Sequence, residues 1–436
     1  MCALALTGAA AAQTSPRSLI GNVNIVTLDE RGVLEDASVV VSQGRIEAIL
    51  RPGQRAPRNA TLIDGQGGYL MAGLIDSHVH YNSESALASY LRYGVTTVLS
   101  LGNRAGVDEL LEARRRVASG ELVGAHMYAT GATIANHVQI NTVAEVEPYL
   151  DDLEARGLDY VKIYNEISQD VFDAVVAGAR RRGMGVFGHI PRRFAPEYAF
   201  ANGLNVVAHM EEFFFTAFEG PRDQNLNTLA PDWTPDYARI DPILDVVAAN
   251  HVAIIPNLVA PFSYQSLWAD ESRTIETPDL AFLSAEEAEV WRTRNYSRRD
   301  RIELRMMREQ IKYPLLRVLT YRAQQRGILL LAGTDAPIPA MFPGRSLHEE
   351  IRLLAAAGLT REEALRAATA NAGEAIRRFV DGDACIGVVR VGCEADLVLL
   401  RGNPLEDLRH TQAVVGVMAD GRWHTPEQLE QAARPR

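Results

Sequence analysis

The sequence predicts an α/β protein built as a (β/α)8 TIM barrel, with a small β-sandwich domain formed by the N- and C-terminal segments. Three observations predict it. Short apolar runs alternate with helical patterns through the middle of the chain, β-rich segments with turn signals occupy both ends, and histidines and an aspartate close several of the middle runs.

The terminal elements come first. Within residues 18–71, the stretches 25–28, 37–41 and 46–50 are β-rich, and Gly32 and Gly44 punctuate them. The same texture returns at 387–389, 395–400 and 414–418. Residues 384–436 are therefore expected to join 18–71 in one small β domain. The barrel is expected over 72–383, with strands at 73–80, 95–102, 125–130, 160–164, 185–189, 205–209, 252–257 and 328–335. Helical patterns at 107–119, 143–156, 170–182 and 313–326 lie between some of them. Continuous apolar runs suit strands buried on both faces, and eight strand–helix units close a barrel.

One connection, about 213–311, is stretched and carries Pro, Trp and charged helical segments. An insertion near the C-terminal face of a barrel reads as a lid or substrate wall. Its aromatics Phe213, Phe214, Phe215, Phe218, Trp233, Tyr264 and Trp268 either line an apolar pocket or pack the insertion onto the barrel, and packing is the commoner fate.

Bulk properties narrow the partners. A chain of 436 residues, 47% hydrophobic and 23% charged, has the composition of a globular protein with a substantial core. A formal net charge of -11 opposes nucleic acid or an anionic membrane as the main partner. The charge identifies no partner of its own; a small-molecule substrate is expected, and a homo-oligomer is compatible with the sequence but not specified by it. Three cysteines (Cys2, Cys385 and Cys393) make no disulfide framework, and Cys385 and Cys393 are expected to be free thiols. Residues 1–17 begin with a small-residue apolar run that ends in Ala10-Ala11-Ala12, like the second half of a secretory signal peptide without its charged start. Export to the periplasm or medium is the favoured reading, and a cytoplasmic protein with a disordered tail is the alternative. No other apolar stretch is long enough to span a bilayer.

Chemistry concentrates at the ends of the predicted barrel strands. In Asp76-Ser77-His78-Val79-His80, residues two apart in a strand point to one side, so His78 and His80 offer two imidazoles to a metal at the barrel mouth. His189 ends the run 185–188 and His209 ends 205–208. Either alone reads as a hydrogen-bonded structural histidine, but four at C-terminal strand ends coincide with where barrel active sites form. Lys162, among β-branched neighbours in Tyr160-Val161-Lys162-Ile163-Tyr164, is costly to bury without a partner. It must be neutralised, paired or modified, unless it snorkels to the surface. Asp335 follows an apolar run, where a carboxylate is favourable beside a divalent cation.

This pattern resembles the amidohydrolase superfamily, in particular binuclear members with a carboxylated lysine, including Xaa-Pro dipeptidase-like and imidazolonepropionase-like sequences. The resemblance spans nearly the whole chain. It is carried by the stretch from Met71 to His80, by Val161-Lys162-Ile163-Tyr164, Gly188-His189-Ile190-Pro191 and Ala208-His209-Met210-Glu211-Glu212, and by Gly333-Thr334-Asp335-Ala336, Gly392 to Leu399 and Asn403-Pro404-Leu405. It implies that His78, His80 and Asp335 hold one divalent metal and His189 and His209 a second. It also implies that Lys162, as a carbamate, bridges the two, and that zinc is the metal favoured by imidazole-rich sites. A bridging hydroxide would attack the substrate carbonyl, with Asp335 as proton shuttle. Tyr164 and His137 are the candidate substrate contacts, against packing for Tyr164 and a solvated loop histidine for His137. Pro343 to Glu350 matches a family helix start and is read as structural.

The function these features predict is hydrolysis of a C–N bond, amide or peptide, in a dipeptide or an N-acyl amino acid. Esterase, lactonase or phosphotriesterase chemistry on the same site, a mononuclear deaminase, and a non-catalytic barrel that binds without turnover are the alternatives. Lys162 weighs against the deaminase, and the complete ligand set weighs against the silent barrel.

Overall fold

The computed structural model describes residues 17–103, 106–135, 140–218, 235–269, 275, 277–293, 302–338 and 340–435. The N-terminal apolar run, His137, Trp233 and the side chain of Trp268 lie outside the described residues.

The strands in chain order are β1 (Arg17–Val26), β2 (Val33–Ser42), β3 (Arg45–Leu50), β4 (Ala60–Ala72), β5 (Leu74–Tyr81), β6 (Val95–Asn103), β7 (His126–Ala129), β8 (Val161–Ile163), β9 (Val186–Gly188), β10 (Val206–Ala208), β11 (Ala253–Ile255), β12 (Leu397–Leu400), β13 (Val414–Ala419) and β14 (Arg422–His424). Strand β1 thus starts at Arg17, one residue inside the expected tail. The two ends of the chain do meet. They form one seven-stranded mixed sheet in the order β14-β13-β12-β4-β1-β2-β3, and the antiparallel pairing of β12 with β4, Leu397 opposite Ala72, joins them. Its apolar face encloses Ile20, Ile25, Val39, Val41, Leu70, Leu397, Leu399 and Met418. Residues 387–389, expected as β-rich, are not a strand.

Cys385 and Cys393 are not free thiols. They form a disulfide with Cα atoms 4.8 Å apart. Glu394 N donates to Cys385 O at 3.0 Å, and this local fold brings the two backbones into range although eight residues separate them.

The barrel strands β5-β6-β7 and β8-β9-β10-β11 run parallel in two arcs. The apolar run 328–335 closes the ring without becoming a regular strand. Leu331 N donates to Ile254 O at 2.9 Å on one side, and Ser77 N donates to Ala332 O at 2.9 Å on the other. At the second seam Asp159 N donates to Ala129 O at 2.9 Å, and Ile134 bridges Ile163. Side chains Ile75, Leu99, Leu101, Tyr160, Phe187, Val206, Ile255 and Leu331 fill the interior, while Val79, Val161, Ile163 and Val207 pack outward against the helices.

Helices Val107–Ser119, Val143–Ala155 and Gln169–Arg181 stand where the periodicity placed them. The expected helix at 313–326 begins earlier, as Ile302–Gln325, because Glu, Arg, Met and Gln at 303–310 favour helix and Pro314 does not end it. The described end of the insertion, from Ile302, is therefore helical up to its junction with the barrel. Phe213, Phe214 and Phe218 pack it down and are nearly inaccessible, and among the described aromatics of the insertion Tyr264 reaches the central cavity.

Candidate metal centre

One cavity of about 410 Å³ at the C-terminal ends of the barrel strands is lined by His78, His80, Lys162, Tyr164, His189, His209 and Asp335. The structure brings together all six ligand candidates and Tyr164. Asp335 Oδ1 lies 2.8 Å from His80 Nε2 and 3.4 Å from His78 Nε2. The ring of His78 is 4.6 Å from that of His209, which is 5.0 Å from that of His189. Tyr164 stacks at 4.2 Å on His189.

Strand alternation explains some of these directions. Val161 and Ile163 face the helices, so Lys162 points into the barrel; Phe187 faces inward, and so does His189 two residues on. His209 breaks the rule. Ala208 already points inward, which would turn His209 outward, but its backbone takes φ 74°. Asp335 is also left-handed at φ 66°, as is Asn257 at φ 51°. Such conformations cost about 1–3 kcal/mol each and concentrate where function requires them. Gly188 has no alternative residue: at φ 148° a Cβ would sit 2.1 Å from Ile163 O.

A shell of buried polar groups holds the site. Asp76 Oδ2 accepts from Thr334 Oγ1 at 2.7 Å and Oδ1 from Thr334 N at 3.0 Å, tying β5 to the run that bears Asp335. Burial pushes the Asp76 carboxyl up to about 7. Asn257 Oδ1 is 3.3 Å from His78 Nδ1, which leaves Nε2 directed at the cavity. His189 Nδ1 lies 3.1 Å from Glu212 Oε1, and Arg192 Nη2 holds the same oxygen at 3.0 Å. Burial alone would raise Glu212, but His189 and Arg192 bring it down to about 2.

Glu350, fully buried, accepts from Leu258 N at 3.1 Å and Val259 N at 2.7 Å, fixing the turn that presents Asn257. Burial pushes its carboxyl up to about 8 from 4.5. The folded protein therefore binds a proton that the unfolded chain releases. This contribution to stability is complete below pH 4.5 and is lost as pH rises through 8. We expect the urea midpoint of Glu350→Gln to fall less between pH 5 and pH 8 than that of the parent protein. Parallel declines would show that Glu350 is ionised throughout.

The donor set fits a divalent cation. Nitrogen and oxygen atoms of His78, His80 and Asp335 lie within 4.8 Å of one another. His78 Nε2 and Lys162 Nζ are buried and take no hydrogen bond among the described residues. Burial lowers His78 and His189 and brings His209 to about 4, so these imidazoles are neutral donors. Burial would raise Asp335, yet His78, His80 and His209 around it, His80 as hydrogen-bond donor, favour the carboxylate. Lys162 is lowered to about 8 by burial, against the opposing pull of Asp335 and Glu212.

Sequence reasoning missed several residues. Arg192 and Glu212 each stand three positions after a strand-end histidine, a spacing that was legible. Asn257 carried a weaker signal, at the end of its apolar run. Lys312, whose Nζ donates to Glu211 Oε2 at 2.8 Å inside the cavity, carried none, because 101 residues separate the pair.

Residues 320–424 match the Amidohydrolase family. No curated protein matches the chain. Among solved structures, a Xaa-Pro dipeptidase with methionine bound in its active site is similar over 94% of this chain and 100% of its own, with 19% identity and a TM-score of 0.69. Bottromycin amidohydrolase is similar over 95% of this chain and 88% of its own, with 23% identity and a TM-score of 0.71. Ochratoxinase from A. niger covers 95% and 96%, with 17% identity and a TM-score of 0.68. The chain shares the fold of these proteins, and its residues 320–424 match the Amidohydrolase family.

Proposed function

We propose that this protein is a metal-dependent hydrolase that cleaves the C–N bond of a small amide or peptide, with two divalent metals, zinc foremost, held by His78, His80, Asp335, His189, His209 and a carbamate on Lys162. The observation that carries the reading is the convergence of neutral imidazoles, a carboxylate and a buried amine without a hydrogen bond among the described residues on one cavity. The amidohydrolases and dipeptidase of the same fold support the substrate class.

Bound there, the metals would lower the pKa of water and polarise the scissile carbonyl. The rest falls to the chain. Asp335 presents Oδ1 to the two histidines of β5 and keeps a second oxygen to take a proton and pass it to the leaving nitrogen. Lys162 with its pKa near 8 has a share of neutral amine at pH 7, the form that condenses with carbon dioxide. The resulting carbamate supplies the anion that a lysine lacks. Asn257 sets the tautomer of His78, and Glu212 stands 3.1 Å from His189 Nδ1. Tyr164, stacked on His189, is placed to touch the substrate.

The test is a hydrolysis panel with the zinc-loaded protein: dipeptides, N-acyl amino acids, lactones and aryl esters, alongside elemental analysis. Preference for amides with about two metal equivalents is expected. Faster turnover of esters or lactones would move the activity to another bond while leaving the metal centre in place.

A further inference from the structure

We infer that Glu211 selects substrates with a protonated amino group next to the scissile carbonyl, as in a dipeptide with a free N-terminus, over those whose nitrogen is acylated. The inference rests on the amidohydrolase reading above and narrows it. Glu211 and Glu212 are neighbours with different surroundings. Glu212 is 2% exposed and faces His189 and Arg192. Glu211 lines the same cavity as the six ligand candidates, with its side chain 31% exposed.

Its partner lines the same cavity but is less accessible. Lys312, on the helix that leads out of the insertion, is 5% exposed and donates to Glu211 Oε2 at 2.8 Å. Of this pair the carboxylate is what a ligand can reach. Oε1 takes no hydrogen bond among the described residues. Lys312 Nζ also lies 5.7 Å from the centre of the Phe215 ring.

Position then sets the specificity. In an α-amino amide a single carbon separates the ammonium from the scissile carbonyl carbon, so its counter-charge must stand beside the groups that hold that carbonyl. Glu211 is two residues from His209. A divalent metal centre would repel an ammonium beside it, and the Glu211 carboxylate would offset that repulsion. An acylated nitrogen brings no charge and keeps a single N–H, so at Oε1 it makes a neutral hydrogen bond where the ammonium makes a stronger, charge-assisted one. Tyr164 and Tyr264 complete the polar side of the cavity.

The experiment compares L-alanyl-L-alanine with N-acetyl-L-alanyl-L-alanine on the zinc-loaded protein, reading release of the C-terminal alanine. The free dipeptide is expected to lead by about tenfold or more in kcat/KM, mostly through KM. Glu211→Gln should shrink that lead to about threefold or less, and Glu211→Asp, which keeps the charge, should restore most of it. A lead that survives in Glu211→Gln overturns the inference. If neither peptide is cleaved, the amidohydrolase reading fails, and calorimetry on the Asp335→Asn protein decides the inference separately. Tighter binding of the free dipeptide that disappears in Asp335→Asn/Glu211→Gln supports it; equal binding, or binding of neither, overturns it.

Discussion

Asp335→Asn is expected to lower turnover by about a thousandfold while leaving the fold and its melting temperature nearly unchanged. Asparagine is isosteric and tolerates the left-handed backbone at this position, φ 66°, so the strand end keeps its shape. The backbone bond from Asp335 N to His78 O at 2.7 Å is untouched. What the change removes is an ionised oxygen 2.8 Å from His80 Nε2 and 3.4 Å from His78 Nε2, together with the basic site that a proton transfer needs. The measurement is kcat on whichever amide the panel identifies, with circular dichroism and metal content recorded on the same protein. A variant that keeps most of its turnover would take the proton-transfer role away from Asp335.

The parts of the site that were legible in the sequence are those fixed by strand ends. A barrel turns the last residue or two of each inner strand toward the mouth, so His78, His80, His189 and Asp335 could be placed from the apolar run before each. His209 was found for the same reason, although its direction depends on a left-handed backbone that no alternation pattern contains. The run 328–335 was recognisable as barrel wall because closure asks for an apolar segment more than for regular pairing. Cross-chain pairs were not legible. Glu211 and Lys312, Asn257 and His78, and Glu350 with the 258–259 amides are set by helices and turns that meet only in three dimensions. The Cys385–Cys393 disulfide belongs with them, since two cysteines eight apart pair or not according to a local turn that composition does not reveal.

Lys162→Met is expected to push stability and metal binding in opposite directions. The Lys162 side chain is buried and without a hydrogen-bond partner among the described residues, and burial takes its pKa from 10.5 to about 8. In the metal-free protein the unfolded chain binds this proton more tightly than the folded one. The lysine therefore costs stability below pH 8, by about 3 kcal/mol, and that cost fades as pH rises toward 10.5. Methionine has nearly the same length and no charge to desolvate, so the metal-free variant should melt higher than its parent at pH 7 and lose that advantage above pH 10. With zinc supplied the order should reverse. A methionine accepts no carbamate and bridges no metals, so metal content should drop from about two equivalents to one or fewer, with turnover down by about a thousandfold. Two retained equivalents would remove Lys162 from the metal centre, whereas a destabilised metal-free variant would mean that the amine finds compensation in the fold itself.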